Sequence, residues 1–136
     1  VSFNQVVKQS VNYLEEIAEY KNIKISVSET AELTTQMDIS LANVVVSNLL
    51  RNAIFHNVEN GIVNVEISEN AIKISNTGFK APINEQKLFS RFHKTENNTN
   101  STGLGLAIVK AVCDLYDFPI FYRFENDLHF FELRVK

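Results

Sequence analysis

The chain has a single cysteine, Cys113, so no internal disulfide is available to it, and a lone thiol favours a reducing compartment. No apolar run approaches the roughly 18 to 20 residues that a bilayer-spanning helix needs, and no signal-peptide pattern opens the sequence. A basic excess is also missing. Thirteen Lys and Arg stand against 16 Asp and Glu, a net charge of −3, which argues against the positive field that nucleic-acid binding requires. His93 and His129 have no metal-ligand spacing with each other or with Cys113. There is no internal repeat and no interdomain linker, and 45% of the residues are hydrophobic, so residues 1–136 read as one domain around one core. The first residue is Val1 rather than Met, so the expectation is a piece excised from a longer protein.

What is present divides cleanly into elements. Ser2 and Gln5 fit a capping box, and Phe3, Val6, Val7, Val11, Leu14, Ile17 and Ala18 then recur at helical spacing, predicting a helix over about 3–20. "IKISVS" (23–28) alternates like a strand. Asp38 can cap a second helix, "ISLANVVVSNLLRNAIFHN", whose many Val and Leu imply burial on more than one side. "IVNVEI" (62–67) and "AIKISN" (71–76) read as paired strands around a turn at Glu69–Asn70. A short amphipathic helix is expected to carry Leu88, Phe89 and Phe92, followed by a polar tract, 93–102, that reads as a mobile loop. A helix from Gly105 to about Asp117 and two final strands, "PIFYRF" and "LHFFELRV", complete the chain. A further short strand is expected between the first strand and the second helix. This order predicts an α+β fold with helices on one face of a mixed sheet.

Three features carry chemistry. Asn48, Asn52 and His56 recur every four residues along an otherwise apolar helix, although Asn is a poor helix former. They are either amides solvated at the edge of the helix's exposed face or a polar line facing a ligand or hydrated metal. The period of two in "AIKISN" sets Asn76 on the covered face with Ile72 and Ile74, directly before Gly78. That pattern suits either a strand-end Asn turn or a polar group at a pocket floor. Gly103 and Gly105 open a helix in "STGLGLAIVK", where exposed amides could cradle phosphate, though a hinge and a packing glycine fit equally well. Neither a dinucleotide fingerprint nor a P-loop is present.

Together these stretches resemble the ATP-binding catalytic domain of sensor histidine kinases, in the wider family of gyrase, heat-shock-ninety and MutL-type ATPases. "NLLRNAIFHN" looks like the N box, "NTG" like a modified G1 box, "LFSRF" like the F box and "STGLGLAIVK" like the G2 box, in matching order over nearly the whole chain. The resemblance implies a two-layer Bergerat-type fold, with a mostly antiparallel sheet of about five strands covered on one face by about three helices. It implies ATP and Mg²⁺ as cofactors, with Asn52 holding the metal and Asn48 as the other N-box position. Asn76 stands at the base-reading position, followed by Gly78. Phe89 and Phe92 fall in the F box, with Arg91 and Lys94 as phosphate contacts and His56 as a further polar contact. Residues 93–102 match the ATP lid. Thr102, Gly103, Leu104, Gly105 and Leu106 match the stretch that closes on the phosphates.

The chain departs from that pattern in three places. Asn76 replaces the usual aspartate, keeping a carbonyl acceptor and adding an amide donor that could pair with adenine N1. Phe55 occupies a position often filled by lysine, and Lys80 the place of a second glycine. Asn48 stands where hydrolytic relatives carry a glutamate. No histidine has the H-E-x-x-x-P surroundings of a phosphoacceptor helix. The implied activity is therefore γ-phosphoryl transfer to a histidine on an upstream dimerisation domain in two-component signalling, with a response regulator further on. The alternatives are a degenerate nucleotide-binding or scaffolding module and an anti-sigma-type serine kinase. The resemblance implies a monomeric cytoplasmic domain of a homodimeric inner-membrane sensor.

Overall fold

A computed structural model describes residues 1–84, 88–89 and 104–135. Helix α1 spans Phe3–Tyr20, and its first turn is capped by Ser2, whose hydroxyl accepts from the Gln5 amide as the capping box requires. Strand β1 spans Lys24–Glu29. Helix α2 spans Ile39–Phe55, with the Asp38 carboxylate accepting from Ser40 N–H at 2.7 Å. Strands β2 (Ile62–Ile67) and β3 (Ala71–Asn76) form a hairpin. Helix α3 spans Gly105–Leu115, and strands β4 (Ile120–Glu125) and β5 (Leu128–Arg134) close the chain.

The five strands make one sheet in the order β1-β2-β3-β5-β4. Only the β1–β2 pair is parallel, and the other three pairs are antiparallel. Alternation decides the faces. Val63, Val65 and Ile67 of β2, Ile72 and Ile74 of β3, and Phe131 and Leu133 of β5 are buried in the core. They meet Phe3, Val6, Val7 and Leu14 of α1, Val45, Val46, Leu49 and Leu50 of α2, and Val109 and Val112 of α3. The other face stays open to solvent, with Arg123 over the Phe130 ring at 4.4 Å and Arg134 over Phe121 at 4.7 Å.

Two expectations are corrected here. Between β1 and α2 there is only an isolated bridge, Ser2 to Thr34, rather than a strand. A buried side chain has taken the place of a ladder partner: Asn4 donates to Glu29 Oε1 at 2.7 Å and to Ala31 O at 3.0 Å, and accepts from Leu33 N–H at 2.8 Å. Helix α3 also ends two residues before Asp117. Asp117 takes a left-handed φ of 57°, and Phe118 N–H folds back to Cys113 O at 2.8 Å, a closure that ends a helix whatever the apolar spacing beyond it. Of the short helix expected around Phe92, only Leu88 and Phe89 are described. Leu88 is buried, and the Phe89 ring meets Phe131 edge-on at 6.3 Å.

Cys113 belongs to the core, as its apolar neighbours on α3 suggested. Desolvation pushes its thiol from an ordinary 9.0 up to about 11. The folded state therefore holds this proton where the unfolded chain would release it. The contribution is fully present below about pH 9 and is lost as pH rises through about 11. Urea midpoints at pH 8 and pH 10.5 are expected to fall further for the wild type than for Cys113→Ala, by the equivalent of about 2 kcal/mol at most. Equal falls would remove Cys113 from the alkaline loss of stability.

Candidate functional site

The polar line on α2 is half-buried rather than solvated or sealed. Asn48, Asn52 and His56 are all of intermediate exposure, whereas Arg51 is exposed. Asn48 turns its amide back on its own helix, donating to Val44 O at 2.8 Å. Among the described residues the Asn52 side chain makes no hydrogen bond, so its carbonyl oxygen and amide group are open to a ligand. His56 caps the helix C-terminus, and its backbone N–H bonds to Asn52 O.

Each end of this line meets a glycine. At the Asn48 end, a Cβ on Gly105 would stand 3.1 Å from Asn48 Oδ1, so α3 begins hard against α2. Helix α3 starts there without a side-chain cap, following Leu104, and Leu104 and Leu106 are half-buried beside it. For Gly105 the structure favours the packing reading: the missing side chain makes room for Asn48. At the other end, a Cβ on Gly78 would stand 2.9 Å from His56 O and 3.2 Å from His129 Cδ2. Asn48 and His56 are eight residues apart, about 12 Å along the helix axis. The α2 line thus links an uncapped helix start to the loop after β3.

Asn76 lies at that second end, 2% exposed and on the covered face where the strand period set it. Its Nδ2 donates to Thr77 O at 2.7 Å. Its Oδ1 is buried and has no partner, the one such side-chain atom among the described residues. A buried acceptor left unmet costs about 1–3 kcal/mol, so a ligand donor is the natural complement. One of the two Nδ2 protons is held by Thr77, and the acceptor is the atom left without a partner. The orientation is chemically forced, because an oxygen turned toward the Thr77 carbonyl would find no proton there.

Thr77 is itself tied to α2. Its hydroxyl donates to Asn57 Oδ1 at 2.5 Å and accepts from Ile62 N–H at 2.9 Å, while Asn57 Nδ2 donates to Ala53 O and Ile62 O. Phe55, the departure on α2, is half-buried beneath two cations, with Lys21 Nζ 5.6 Å and the Arg51 guanidinium 5.9 Å from its ring centre. Lys80 is exposed. Arg91, Lys94, Thr102, Gly103 and the rest of the 93–102 tract lie outside the described residues.

Sequence reasoning missed Asn57, Thr77, Tyr122 and His129 as contributors to this region. His129 was set aside for lack of metal-ligand spacing, yet the alternation in "LHFFELRV" already groups it with Phe131 and Leu133 on the covered face. It is 4% exposed and pairs across the sheet with Asn76.

A half-buried asparagine line on a core helix, a buried acceptor at a strand end and a glycine-opened helix are thus set together on the open mixed sheet of an α+β sandwich. Residues 37–128 match the histidine kinase-, DNA gyrase B-, and HSP90-like ATPase family, and the chain belongs to that family. It is similar to the heme sensor protein HssS of Staphylococcus saprophyticus, with 31% identity over 122 residues that cover 85% of this chain and 26% of that protein. The HssS of Staphylococcus aureus strain Newman is 31% identical over 132 residues, 93% of this chain and 29% of that protein. The chain thus spans under a third of these curated relatives. Its fold is similar to the catalytic domain of histidine kinase ThkA, at a TM-score of 0.81 and 27% identity over 96% of this chain and 91% of that one. ThkA in complex with the response regulator protein TrrA shares the fold at a TM-score of 0.72 and 20% identity, over 100% of this chain and 41% of that one. Among the described residues no helix is long and apolar enough to cross a membrane.

Proposed function

We propose that this domain binds Mg·ATP along the α2 line and donates the γ-phosphoryl group to a histidine on a helical dimerisation domain of the same sensor protein, from which a response regulator draws it. The observation that carries the reading is the unpartnered Asn76 Oδ1, buried at one end of a polar line whose other end meets the start of a helix. An adenine amino group is a donor of the kind this acceptor lacks, and a guanine oxygen at the same place would repel it.

The residues present suit the metal as well. Among the described residues no three His, Cys, Asp or Glu form a cluster, and Asn52 offers one hard amide oxygen. That donor set suits magnesium, which keeps several waters and takes its remaining ligands from phosphates. Bound there, the metal would neutralise phosphate charge. The chain's own work is positioning, because phosphoryl transfer asks little covalent chemistry of the protein. Asn76 would orient the base and Asn52 the metal-bound phosphates, while the first amides of α3 would face the anionic end. Asn48 cannot serve as a base for water: its amide is spent on Val44 and takes up no proton at neutral pH. Hydrolysis by the domain alone is therefore expected to be slow.

Calorimetric titration with Mg·ATP, Mg·ADP and Mg·GTP tests the reading. Adenine nucleotides are expected to bind at micromolar to sub-millimolar strength, roughly −8 to −5 kcal/mol, with GTP weaker. Asn76→Ala is expected to weaken ATP about three- to tenfold, the worth of one hydrogen bond to a buried neutral acceptor. No binding of ATP or ADP at millimolar concentration would overturn the reading in favour of a scaffolding module.

A further inference from the structure

We propose that His129, backed by Tyr122, is a positioning residue for the base-reading end of the site, acting through segment 77–83 on the aim of Asn76. The proposal rests on the nucleotide reading above and concerns what sets its base selectivity.

His129 is buried beside Asn76 on the same sheet face, the two being register partners across β3 and β5. Its Nε2 lies 2.7 Å from Phe79 O, which can only accept, so Nε2 carries the proton. Nδ1 is then the acceptor for the Tyr122 hydroxyl at 2.7 Å. The Tyr122 oxygen in turn accepts from Ile83 N–H at 3.0 Å. One relay thereby fastens both Phe79 and Ile83 to the β4–β5 hairpin. A Cβ added at Gly78 would meet both the histidine ring, at 3.2 Å, and the His56 carbonyl, at 2.9 Å, so the backbone after Asn76 runs close to both.

The carbonyl that fixes the Asn76 amide belongs to this stretch, at Thr77. If that stretch shifts, the Thr77 carbonyl leaves Nδ2, and Asn76 can turn its donor to where its acceptor now stands. Packing alone does not call for histidine here. The ring stacks on Tyr122 at 5.9 Å and tilts against Phe124 at 4.8 Å, surroundings that an apolar residue would fill without two nitrogens to satisfy.

The test is a double-mutant cycle read as base selectivity. Dissociation constants for Mg·ATP and Mg·ITP, in which a keto oxygen replaces the adenine amino group, are measured by calorimetry. The proteins are wild type, His129→Leu, His129→Gln and Tyr122→Phe, each with Asn76 or Asn76→Ala, and thermal melts confirm folding. His129→Leu is expected to weaken ATP about three- to tenfold while leaving ITP unchanged or tighter, which collapses the ATP preference. His129→Gln, whose amide nitrogen can reach toward Phe79 O, should recover part of it. In the Asn76→Ala background, His129→Leu should cost nothing further. Should His129→Leu fail to fold, His129→Gln and Tyr122→Phe carry the same comparison. A preference for ATP that survives in the folded variants, or losses that simply multiply, would overturn this inference while leaving the nucleotide reading intact. A wild type that binds no ATP would overturn both.

Discussion

Asn52→Ala is expected to abolish phosphoryl transfer, a fall of at least about a hundredfold, in a domain that stays folded. Stability should hardly change, because the Asn52 side chain is half-buried and makes no hydrogen bond among the described residues. Alanine is also the better helix former at this mid-helix position. Loss of an outer-shell partner of a metal ligand typically costs ten- to a hundredfold, and here the proposed ligand itself is removed. The measurement supplies the domain with labelled ATP and a separate helical domain bearing the acceptor histidine, and counts acid-labile phosphate. Wild type should form it and Asn52→Ala should not, with the melting temperature of the two within a few degrees. Transfer undiminished in Asn52→Ala would show that the metal is held elsewhere. No transfer by a wild type that binds ATP would point to the departures at Phe55 and Lys80.

The largest loss of stability is expected from Gly61→Ala, in the turn before β2. Gly61 precedes β2, and an added Cβ would collide with Asn57 Oδ1 and Thr77 Oγ1 and stand 2.8 Å from Val58 O. The backbone oxygen cannot retreat, because it belongs to the turn that Gly61 N–H closes. The two side chains can move only by giving up the bonds that join α2, β2 and the end of β3. Overpacking of this kind costs about 1–3 kcal/mol, and each lost hydrogen bond adds about 1 kcal/mol. A total of about 3 kcal/mol should lower the melting temperature by roughly 10 °C. ATP affinity should fall with it, since Thr77 is bound to Asn76. A melting temperature within 2 °C of wild type would mean that the turn relaxes at little cost, contrary to its packing.

The elements and much of the site could be read before any coordinates because local rules governed them. The caps at Ser2 and Asp38, the alternation in "IVNVEI" and "AIKISN", and the fourfold spacing of Asn48, Asn52 and His56 are each properties of a few adjacent residues. Those rules failed where a distant group intervened. A further strand is expected between β1 and α2, but there Asn4 meets the backbone of Ala31 and Leu33 from 27 or more positions away. The apolar spacing of α3 runs on to Asp117, yet the left-handed turn there is set by how the chain enters β4. Most instructive is Asn76. Its place on the covered face was legible from a period of two, but which of its two polar atoms is left without a partner was not. That is decided by the Thr77 carbonyl, and through it by a histidine more than fifty residues further along.

Because one stiff helix carries both ends of the polar line, the proposed nucleotide is gripped as a bivalent ligand. Once the base has docked at Asn76, its phosphates meet the start of α3 at an effective concentration fixed by α2 rather than by diffusion. Adenosine, which engages one end, and inorganic triphosphate, which engages the other, should each bind far more weakly than a simple halving of the ATP free energy suggests. The Gly105–Asn48 contact then acquires a metrical meaning. It sets the distance between the two grips, and a side chain added at Gly105 would push the phosphate grip itself away from α2.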